Sequence, residues 1–171
     1  MTAERYWDDA QVGDEAVSPS ITVSEEMIMT YAKLTGDFTP VHVDEAYAKT
    51  TPFGTRVAHG LLGLSLADGL KTQAEYRFLP GMSLGWTWDF ALPIKIGDTL
   101  HVRFKVGSMR PTRRPGWGIV VLPSELVNQR GESVFELDTA PVDSSQPVVE
   151  SGEITDGSVA AATTVPVATT P

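Results

Sequence analysis

The sequence contains an apolar segment of helical length, Gly60-Leu61-Leu62-Gly63-Leu64-Ser65-Leu66-Ala67-Asp68-Gly69-Leu70. Its apolar residues lie nearly all round a helix of about 3.6 residues per turn, which is typical of a buried helix rather than a surface one. Small residues at Gly63, Ser65 and Ala67 would let a sheet approach the helix backbone closely. The segment therefore predicts a buried central helix.

Downstream of this helix, the spacing of the apolar residues changes to a period of two, which is typical of half-buried strands. The expected strands are Leu84–Phe90, Thr99–Val106, Trp117–Leu122 and Val134–Leu137, with one more near the N-terminus at Ser20–Val23. A helix followed by a four-strand antiparallel meander predicts an α+β fold in which the sheet wraps the helix.

An earlier helix is marked by local signals at both ends. Ser24 is a typical N-cap, Glu25 and Glu26 suit the positive end of a helix, and Gly36 is a natural stop. The chain after it is irregular apart from an expected short helix at Asp44–Lys49. The polar residues of this irregular part are therefore expected to lie in a loop.

The composition limits the classes of protein and partner. The chain has no cysteine, which excludes disulfides, thiolate metal sites and a cysteine nucleophile. Its formal net charge of −9 opposes broad contact with nucleic acid or with an anionic membrane surface. No apolar run approaches the roughly 20 residues of a membrane span, and the first residues lack the pattern of a signal peptide. We therefore expect a soluble, cytoplasmic protein.

The pattern of strands and helices occupies one part of the chain. The total of 171 residues fits a single domain, and residues 1–142 carry the periodic segments. Residues 143–171 are rich in Ser, Thr, Ala, Val, Pro and Gly, with no aromatic residue. Such a segment buries too little apolar surface to offset its ordering entropy. We expect a single domain over 1–142 and a low-complexity tail that is disordered or held only by a partner.

Two ionisable residues flank a proline just beyond the first helix. Asp37 and His42 are five positions apart, with Pro40 between them. Proline stiffens such a loop, and a stiff loop can hold a carboxylate and an imidazole against one small molecule such as water. The spacing alone also fits an aspartate that closes a turn and a surface histidine.

The start of the central helix offers a second candidate group. A helix begins with unpaired N–H groups and a positive dipole end, so Gly60 can place a donor against an oxygen that gains negative charge. A glycine required for close packing is the alternative interpretation. The adjacent His59 fits a buried or capping histidine as well as a reactive one.

Two motifs carry a resemblance to a known family. The segment Tyr31–Asp44, followed by Phe53–Leu61, resembles the MaoC-like dehydratase family, the (R)-specific enoyl-CoA hydratases. The resemblance extends from about Trp7, through Phe90–Leu100, to about Ala140, and leaves the tail uncovered. It implies a hot-dog fold, with an antiparallel sheet curled around a long central helix. It also implies a homodimer, or a dimer of dimers, with active sites near the subunit interface.

The resemblance also implies a reaction and its residues. The family's catalytic pair falls on Asp37 and His42, and the backbone amide that binds the thioester carbonyl falls on Gly60. The implied activity is reversible syn hydration of a trans-2-enoyl-CoA to an (R)-3-hydroxyacyl-CoA. Coenzyme A enters as part of the substrate, and the chemistry calls for no metal and no redox cofactor.

Two positions depart from the family pattern. Thr39 stands where the family usually has an asparagine that orients the site, and threonine keeps a hydroxyl but loses reach. Asp68 stands where short-chain hydratases commonly have a small residue such as serine. We expect Thr39 to contact the site. Asp68 would either meet a polar substrate group or face solvent or the other subunit.

The phosphates of coenzyme A would need cationic partners in this acidic chain. Arg110, Arg113 and Arg114 form a cluster in a loop stiffened by Pro111 and Pro115, and arginine forks suit phosphate oxygens. A solvated hairpin tip is the alternative. Arg56, just before the central helix, is a second candidate for substrate contact.

Two other functions fit parts of the same pattern. A hot-dog thioesterase would normally place a carboxylate on or near the central helix, and Asp68 keeps that possibility open. The Asp37 and His42 pair argues against it. A non-catalytic acyl-CoA binding module is the third possibility, and Thr39 is its main support.

Overall fold

The computed structural model describes residues 2–79, 82–113, 117–137 and 162–166. Its helices are α1 (Glu25–Thr35), α2 (Pro40–Val43), α3 (Glu45–Ala48) and α4 (Gly60–Lys71). Its strands are β1 (Ala3–Arg5), β2 (Glu15–Val17), β3 (Ile21–Thr22), β4 (Tyr76–Phe78), β5 (Met82–Gly85), β6 (Asp89–Phe90), β7 (Thr99–Lys105), β8 (Ser108–Pro111), β9 (Trp117–Val121), β10 (Ser124–Val127), β11 (Ser133–Leu137) and β12 (Ala162–Pro166).

The strands form an antiparallel framework against which α4 packs. One sheet has the order β2–β7–β10–β11–β6, with β3 also paired to β7, and a second has the order β5–β12–β9–β8. A short parallel pair, β1 with β4, stands apart. The buried side chains of α4 join those of β7, β10 and β11 in one core, which includes Leu62, Leu70, Val102, Leu126 and Phe135. The predicted α+β fold, a sheet wrapped around a helix, is confirmed.

Helix α1 begins and ends where its local chemistry predicts. The Ser24 hydroxyl accepts a hydrogen bond from the Met27 amide at 3.2 Å. Gly36 ends the helix with φ = 78°, in the left-handed region that favours glycine. The expected short helix is α3, capped by Asp44. The additional helix α2 begins at Pro40, because proline suits the first turn of a helix.

Helix α4 has the predicted bounds but is covered on one side only. A Cβ at Gly63 would lie 2.5 Å from the Phe135 ring and 2.6 Å from Ile94, so the sheet approaches the helix here as closely as a glycine allows. Leu61 is 51% exposed, and Ser65 faces outward with its hydroxyl donated to the Leu61 carbonyl. The expectation that the helix is buried all round is therefore wrong for this single chain. The expected close-packing role of Ser65 is wrong for the same reason.

The strands are shorter and more numerous than the periodicity predicts. The expected strand Leu84–Phe90 is divided between β5 and β6. Pro123 interrupts the backbone ladder after β9, so that β10 begins anew at Ser124. Strand β8 ends inside the expected loop that carries Arg110, Arg113 and Arg114, and it places Arg110 on a strand.

The C-terminal strand corrects the prediction for part of the tail. Residues 162–166 lie between β5 and β9 and pair antiparallel with both. A segment without an apolar face still completes a sheet through its backbone when a place between two strands is open to it, and Thr and Val favour the extended conformation. The expectation of a disordered tail is therefore wrong for 162–166. Residues 138–161 and 167–171 lie outside the described residues, and for them the expectation stays a prediction.

None of the helices within the described ranges has the length and apolar character that crossing a bilayer requires.

Candidate active site

The loop between α1 and α2 is fixed at both ends. Gly36 turns the chain out of α1, and Pro40 starts α2, so Asp37 and Thr39 occupy the short connection between them. His42 follows on α2, within one turn of Thr39. The Asp37–His42 spacing read from the sequence therefore corresponds to a turn and the start of a helix.

A backbone carbonyl fixes the tautomer of His42. The Nδ1 atom of His42 lies 2.8 Å from the carbonyl oxygen of Val57. Because a carbonyl only accepts, Nδ1 carries the hydrogen and donates it. In the neutral ring, Nε2 is then the acceptor, ready to receive a proton from a bound molecule.

His59 connects the two candidate catalytic residues. It is only 3% exposed, and its Nε2–H donates to the backbone carbonyl of Asp37 at 2.9 Å. Its ring stacks on that of His42, with the ring centroids 4.0 Å apart and the planes at 30°. The Tyr31 ring packs against the His59 ring at a tilt, with the ring centroids 5.1 Å apart. One buried imidazole therefore positions both the Asp37 loop and the His42 ring.

Thr39 holds the Asp37 carboxylate in its ionised form. Asp37 Oδ1 accepts from the Thr39 hydroxyl at 2.6 Å and from the Thr39 amide at 3.1 Å. The side-chain bond and then the backbone bond lower the pKa of Asp37, although partial desolvation opposes them, and the nearby His59 and His42 add a smaller lowering. The threonine that departs from the family pattern thus contacts Asp37, and its contact with substrate stays a prediction.

Asp37, His42 and His59 form a compact triad. One potential ligand atom from each lies within 4.8 Å of the other two, so the group has the spacing of a possible metal site. In the hydrogen-bonded arrangement, however, His59 Nε2 already donates to a carbonyl, and a metal at that atom would have to displace this bond. The arrangement leaves a carboxylate and His42 Nε2 to meet a small molecule, and His59 Nδ1 is buried without a hydrogen-bond partner in the described structure. The absence of a resident metal stays a prediction.

Gly60 places a helix start beside this triad. It follows His59 directly and is the first residue of α4, so helix geometry leaves its N–H without a partner inside the helix. A Cβ at this position would lie 2.6 Å from the Phe90 ring. The two interpretations of Gly60 therefore coincide, because close packing against Phe90 and an accessible amide both favour glycine.

Arg56 forms ion pairs with two glutamates of the described structure. Its side chain is 13% exposed, and its guanidinium lies 2.9 Å from Glu25 and 3.4 Å from Glu45. These pairs tie the segment before α4 to α1 and α3. The arrangement favours a structural role for Arg56, and its contact with substrate stays a prediction.

The other predicted cationic residues lie on and after β8. Arg110 is half-buried on that strand and Arg113 is exposed beyond it. Arg114 lies outside the described residues. The expectation that this cluster binds the phosphates of a ligand stays a prediction for all three.

Asp68 lies well away from the triad. It is eight residues after Gly60, which corresponds to about 12 Å along the helix axis. It is exposed and pairs with Lys71 across 3.4 Å. Its role in substrate binding stays a prediction, and Lys71 is a charged neighbour that the sequence pattern did not single out.

Several contacts of the site were not predictable from motifs. The Val57 carbonyl carries no side-chain signal, and Tyr31 fitted the apolar face of α1. The role of His59 had one signal, its position directly before Gly60, but its two contacts depend on how the loop folds back over the helix start.

Comparison with known families decides where the chain belongs. The sequence model of the MaoC like domain matches residues 9–125, which include the triad and Gly60. The chain belongs to the MaoC-like domain family. The match ends before β11, so the last part of the sheet lies beyond it.

Named relatives in the MaoC-like family share about a third of their residues with this chain. A 3-hydroxybutyryl-CoA dehydratase of Methylorubrum extorquens is 36% identical over 113 residues, which cover 64% of this chain and 68% of that protein. An (R)-specific enoyl-CoA hydratase of Rhodospirillum rubrum is 35% identical over 112 residues, covering 64% and 74%.

Solved structures show that the fold is the hot-dog fold of MaoC-like proteins. A MaoC-like dehydratase of Rhodospirillum rubrum superposes with a TM-score of 0.74 at 26% identity, covering 97% of this chain and 99% of that one. A Mycobacterium tuberculosis protein with a double hot-dog fold gives 0.71 at 18% identity, covering 96% and 45%. The expected fold family is therefore confirmed.

Proposed function

We propose that this MaoC-like protein is a hydro-lyase that adds water to a trans-2-enoyl-CoA and gives an (R)-3-hydroxyacyl-CoA, or catalyses the reverse dehydration. One observation carries the proposal. The Asp37 carboxylate and the His42 ring are held together by His59 directly beside the start of α4. The names of the hydratase and dehydratase relatives support the same reaction class.

The proposed reaction adds all the atoms of one water molecule across the C2–C3 double bond. The water oxygen bonds to C3 of the enoyl group, and the electron pair of the C2–C3 double bond moves towards the thioester, giving an enolate. One water proton passes to the Asp37 and His42 pair, and the pair returns a proton to C2. Because the same pair serves both steps, the hydroxyl and the new hydrogen enter from one face, which is syn addition.

His42 and Asp37 act as one unit in this scheme. The bond from His42 Nδ1–H to Val57 leaves Nε2 to accept a water proton. The Asp37 carboxylate, ionised through its bonds to Thr39, accepts a hydrogen bond from the same water. Both groups therefore contact one water molecule in this scheme.

Gly60 supplies the electrostatic part of the proposed catalysis. Charge develops on the thioester oxygen as the enolate forms, and the Gly60 N–H would donate to that oxygen. The positive end of the α4 dipole adds to this stabilisation. Protein groups thus supply both proton transfer and charge stabilisation, and the proposed step needs neither a metal nor a redox cofactor.

We also propose that the protein acts as a homodimer, alone or as a dimer of dimers. Large apolar side chains remain exposed near the start of α4 in the single chain, with Phe90 57%, Phe38 52% and Leu61 51% exposed. Strands β5 and β6 end their sheet orders among the described strands. Such a surface suits a second copy of the chain. Light scattering coupled to size exclusion should give at least twice the chain mass.

One assay separates the proposed reaction from the two other functions. The protein is incubated with crotonyl-CoA while enoyl absorbance and free thiol are followed together. The proposal predicts loss of absorbance without thiol release. Release of thiol would mean a thioesterase, and no change in either signal across a panel of enoyl-CoAs would mean a binding module.

A further inference from the structure

A second polar site lies at the other end of helix α4. A cavity of about 320 Å³ is lined by the last residues of the helix, by β4 and β5, and by core side chains. We call it the α4 pocket. The lining residues used below are Asp68, Lys71, Thr72, Arg77 and Phe104. The triad and Gly60 are not among its lining residues.

Lys71 is a mostly buried charge in the wall of this pocket. Its side chain is 15% exposed, and its Nζ lies 3.4 Å from the Asp68 carboxylate and 3.9 Å from the centroid of the Trp86 ring. Burial lowers the pKa of Lys71, and Asp68 opposes this lowering. An ammonium has three N–H donors, and its two recorded partners in the described structure are one carboxylate and one ring face. The group therefore retains capacity to donate to a ligand.

Asp68 supplies an acceptor next to this donor. Its side chain is 52% exposed and lines the same pocket. The ion pair therefore presents a donor and an acceptor side by side. The described wall also includes Arg77, whose guanidinium lies 2.7 Å from the Glu4 carboxylate, and Phe104 adds an apolar side chain from the core.

One face of α4 leads from the candidate active site to the pocket. Leu61, Ser65, Asp68 and Thr72 are all exposed and, at about 100° per residue, lie within a stripe about 60° wide. Gly60 precedes this stripe at the start of the helix, so an acyl chain bound at its N–H would turn along the side of the helix to follow the stripe towards Asp68. The Ser65 hydroxyl donates a hydrogen bond to the Leu61 carbonyl, so the first part of the stripe is weakly polar. The first strongly polar residue on the stripe is Asp68.

We propose that the α4 pocket binds the far end of the acyl group and selects chains that end in a hydroxyl or a carboxamide. Such a group accepts a hydrogen bond from Lys71 and donates one to Asp68. The inference rests on the proposed function, because it takes the thioester to be bound at Gly60.

The chemistry of the pair selects neutral polar ends over the alternatives. A terminal carboxylate would be attracted by Lys71 but repelled by Asp68, and a terminal ammonium would meet the reverse, so neither charged end gains from both members of the pair. A methyl end would displace water from both charges and return no hydrogen bond. Sites that hydrogen-bond a substrate hydroxyl discriminate strongly against analogues that lack it, because their own polar groups are left unpaired.

The test compares matched substrates in the full-length protein. Enoyl-CoAs from hexenoyl to dodecenoyl are each assayed with a terminal methyl and with a terminal hydroxyl. At the chain length that reaches the pocket, kcat/KM should favour the hydroxyl by at least about tenfold. In the double variant Asp68→Ser/Lys71→Leu, this ratio should fall to one or below.

Two further variants keep the result interpretable. Arg103→Leu/Glu125→Ser removes an exposed ion pair on the sheet, with a 2.8 Å separation in the native chain, and should retain the wild-type ratio. If the pocket double variant does not fold, Asp68→Asn tests the same pair with little change in volume and should also lower the ratio. A ratio of one or less at every chain length, or one unchanged by the pocket variants, would overturn the inference.

A binding measurement separates this inference from the proposed reaction. Saturated acyl-CoAs offer no double bond to hydrate, so their affinities do not depend on hydratase activity. Calorimetric titration should show tighter binding of the terminally hydroxylated ester, by about tenfold, and loss of that difference in the pocket variants. Failure to hydrate crotonyl-CoA would refute the proposed function. Equal affinities for the hydroxylated and plain esters would refute the pocket's role.

Discussion

The two ends of helix α4 are polar in different ways. At the N-terminal end, His42 and His59 are each held by a backbone carbonyl, those of Val57 and Asp37. At the C-terminal end, the polarity rests on two side chains, Asp68 and Lys71. A hydrogen bond to a backbone carbonyl remains possible when the side chain of the acceptor residue changes. An ion pair between two side chains is lost when either residue is substituted. The helix thus separates the proposed reaction site, which is held by main-chain contacts, from the proposed selectivity site, which depends on two side chains.

The largest expected effect comes from the catalytic pair. Asp37→Asn and His42→Gln should each lower turnover by at least about 100-fold, because each removes a proton-transfer group. Steady-state assays with crotonyl-CoA and with a longer enoyl-CoA measure this loss, which should be equal for both substrates if the two ends of α4 are independent.

Matched controls exist for both substitutions. His101→Gln changes a histidine on β7, and Glu26→Gln changes an exposed carboxylate on α1. Both should retain turnover close to wild type. Near-normal activity in Asp37→Asn or His42→Gln would remove that residue from the mechanism.

His59 should show the next largest effect. His59→Phe keeps a ring to stack on His42 but loses the donor to the Asp37 carbonyl, so the Asp37 loop loses its anchor. We expect kcat to fall by roughly 10- to 100-fold, with KM little changed. His59→Gln restores a donor and should recover part of the rate. If His59→Phe and His59→Gln are equally active, the hydrogen bond does not position the site.

A smaller effect, on stability, is expected in the middle of the helix that joins the two ends. Gly63→Ala places a methyl group against the buried Phe135 ring and Ile94. It should lower the free energy of unfolding by about 1–3 kcal/mol. Gly69→Ala, in the same helix with open space around it, should instead raise it by about 0.5–1 kcal/mol. Urea unfolding of both variants checks the signs, and a stabilising Gly63→Ala would contradict the close approach of the sheet.

The smallest expected effect is a change in the titration of Asp37. The Thr39 hydroxyl stabilises the carboxylate, so Thr39→Val should raise the pKa of Asp37 towards its usual range, and Thr39→Ser should leave it low. Carbon-13 NMR of the carboxyl group measures this directly. A midpoint unchanged by Thr39→Val would show that the hydroxyl does not stabilise the charge.

Sequence-based prediction succeeded for features that depend on interactions between residues close together in the sequence. Ser24, Gly36 and Gly60 mark helix ends through contacts within a few residues, and α1 and α4 begin where these residues predict. The proximity of Asp37 and His42 was suggested by their spacing around Pro40 and by the family motif, and their catalytic role stays a proposal. Local chemistry and a motif were sufficient for these features.

Features that depend on distant parts of the chain were missed. The Val57 carbonyl that fixes the His42 tautomer lies 15 residues away and carries no side-chain signal. The Lys71 ammonium contacts the ring of Trp86, which comes later in the chain, after β5. The sequence pattern does not show that these two residues meet. Residues 162–166 can pair as a strand only because β5 and β9 leave a gap between them that is one strand wide. The composition of the tail, which led to the expectation of disorder, contains no information about this gap.

The central claim is that Asp37 and His42 deliver one water to one face of an enoyl thioester. Its most direct test is hydration of crotonyl-CoA in D₂O, with the product analysed by proton NMR and chiral separation. The account predicts (R)-3-hydroxybutyryl-CoA that carries one deuterium at C2 on the same face as the new hydroxyl. Deuterium on the opposite face, or free coenzyme A without a hydroxylated product, would contradict it.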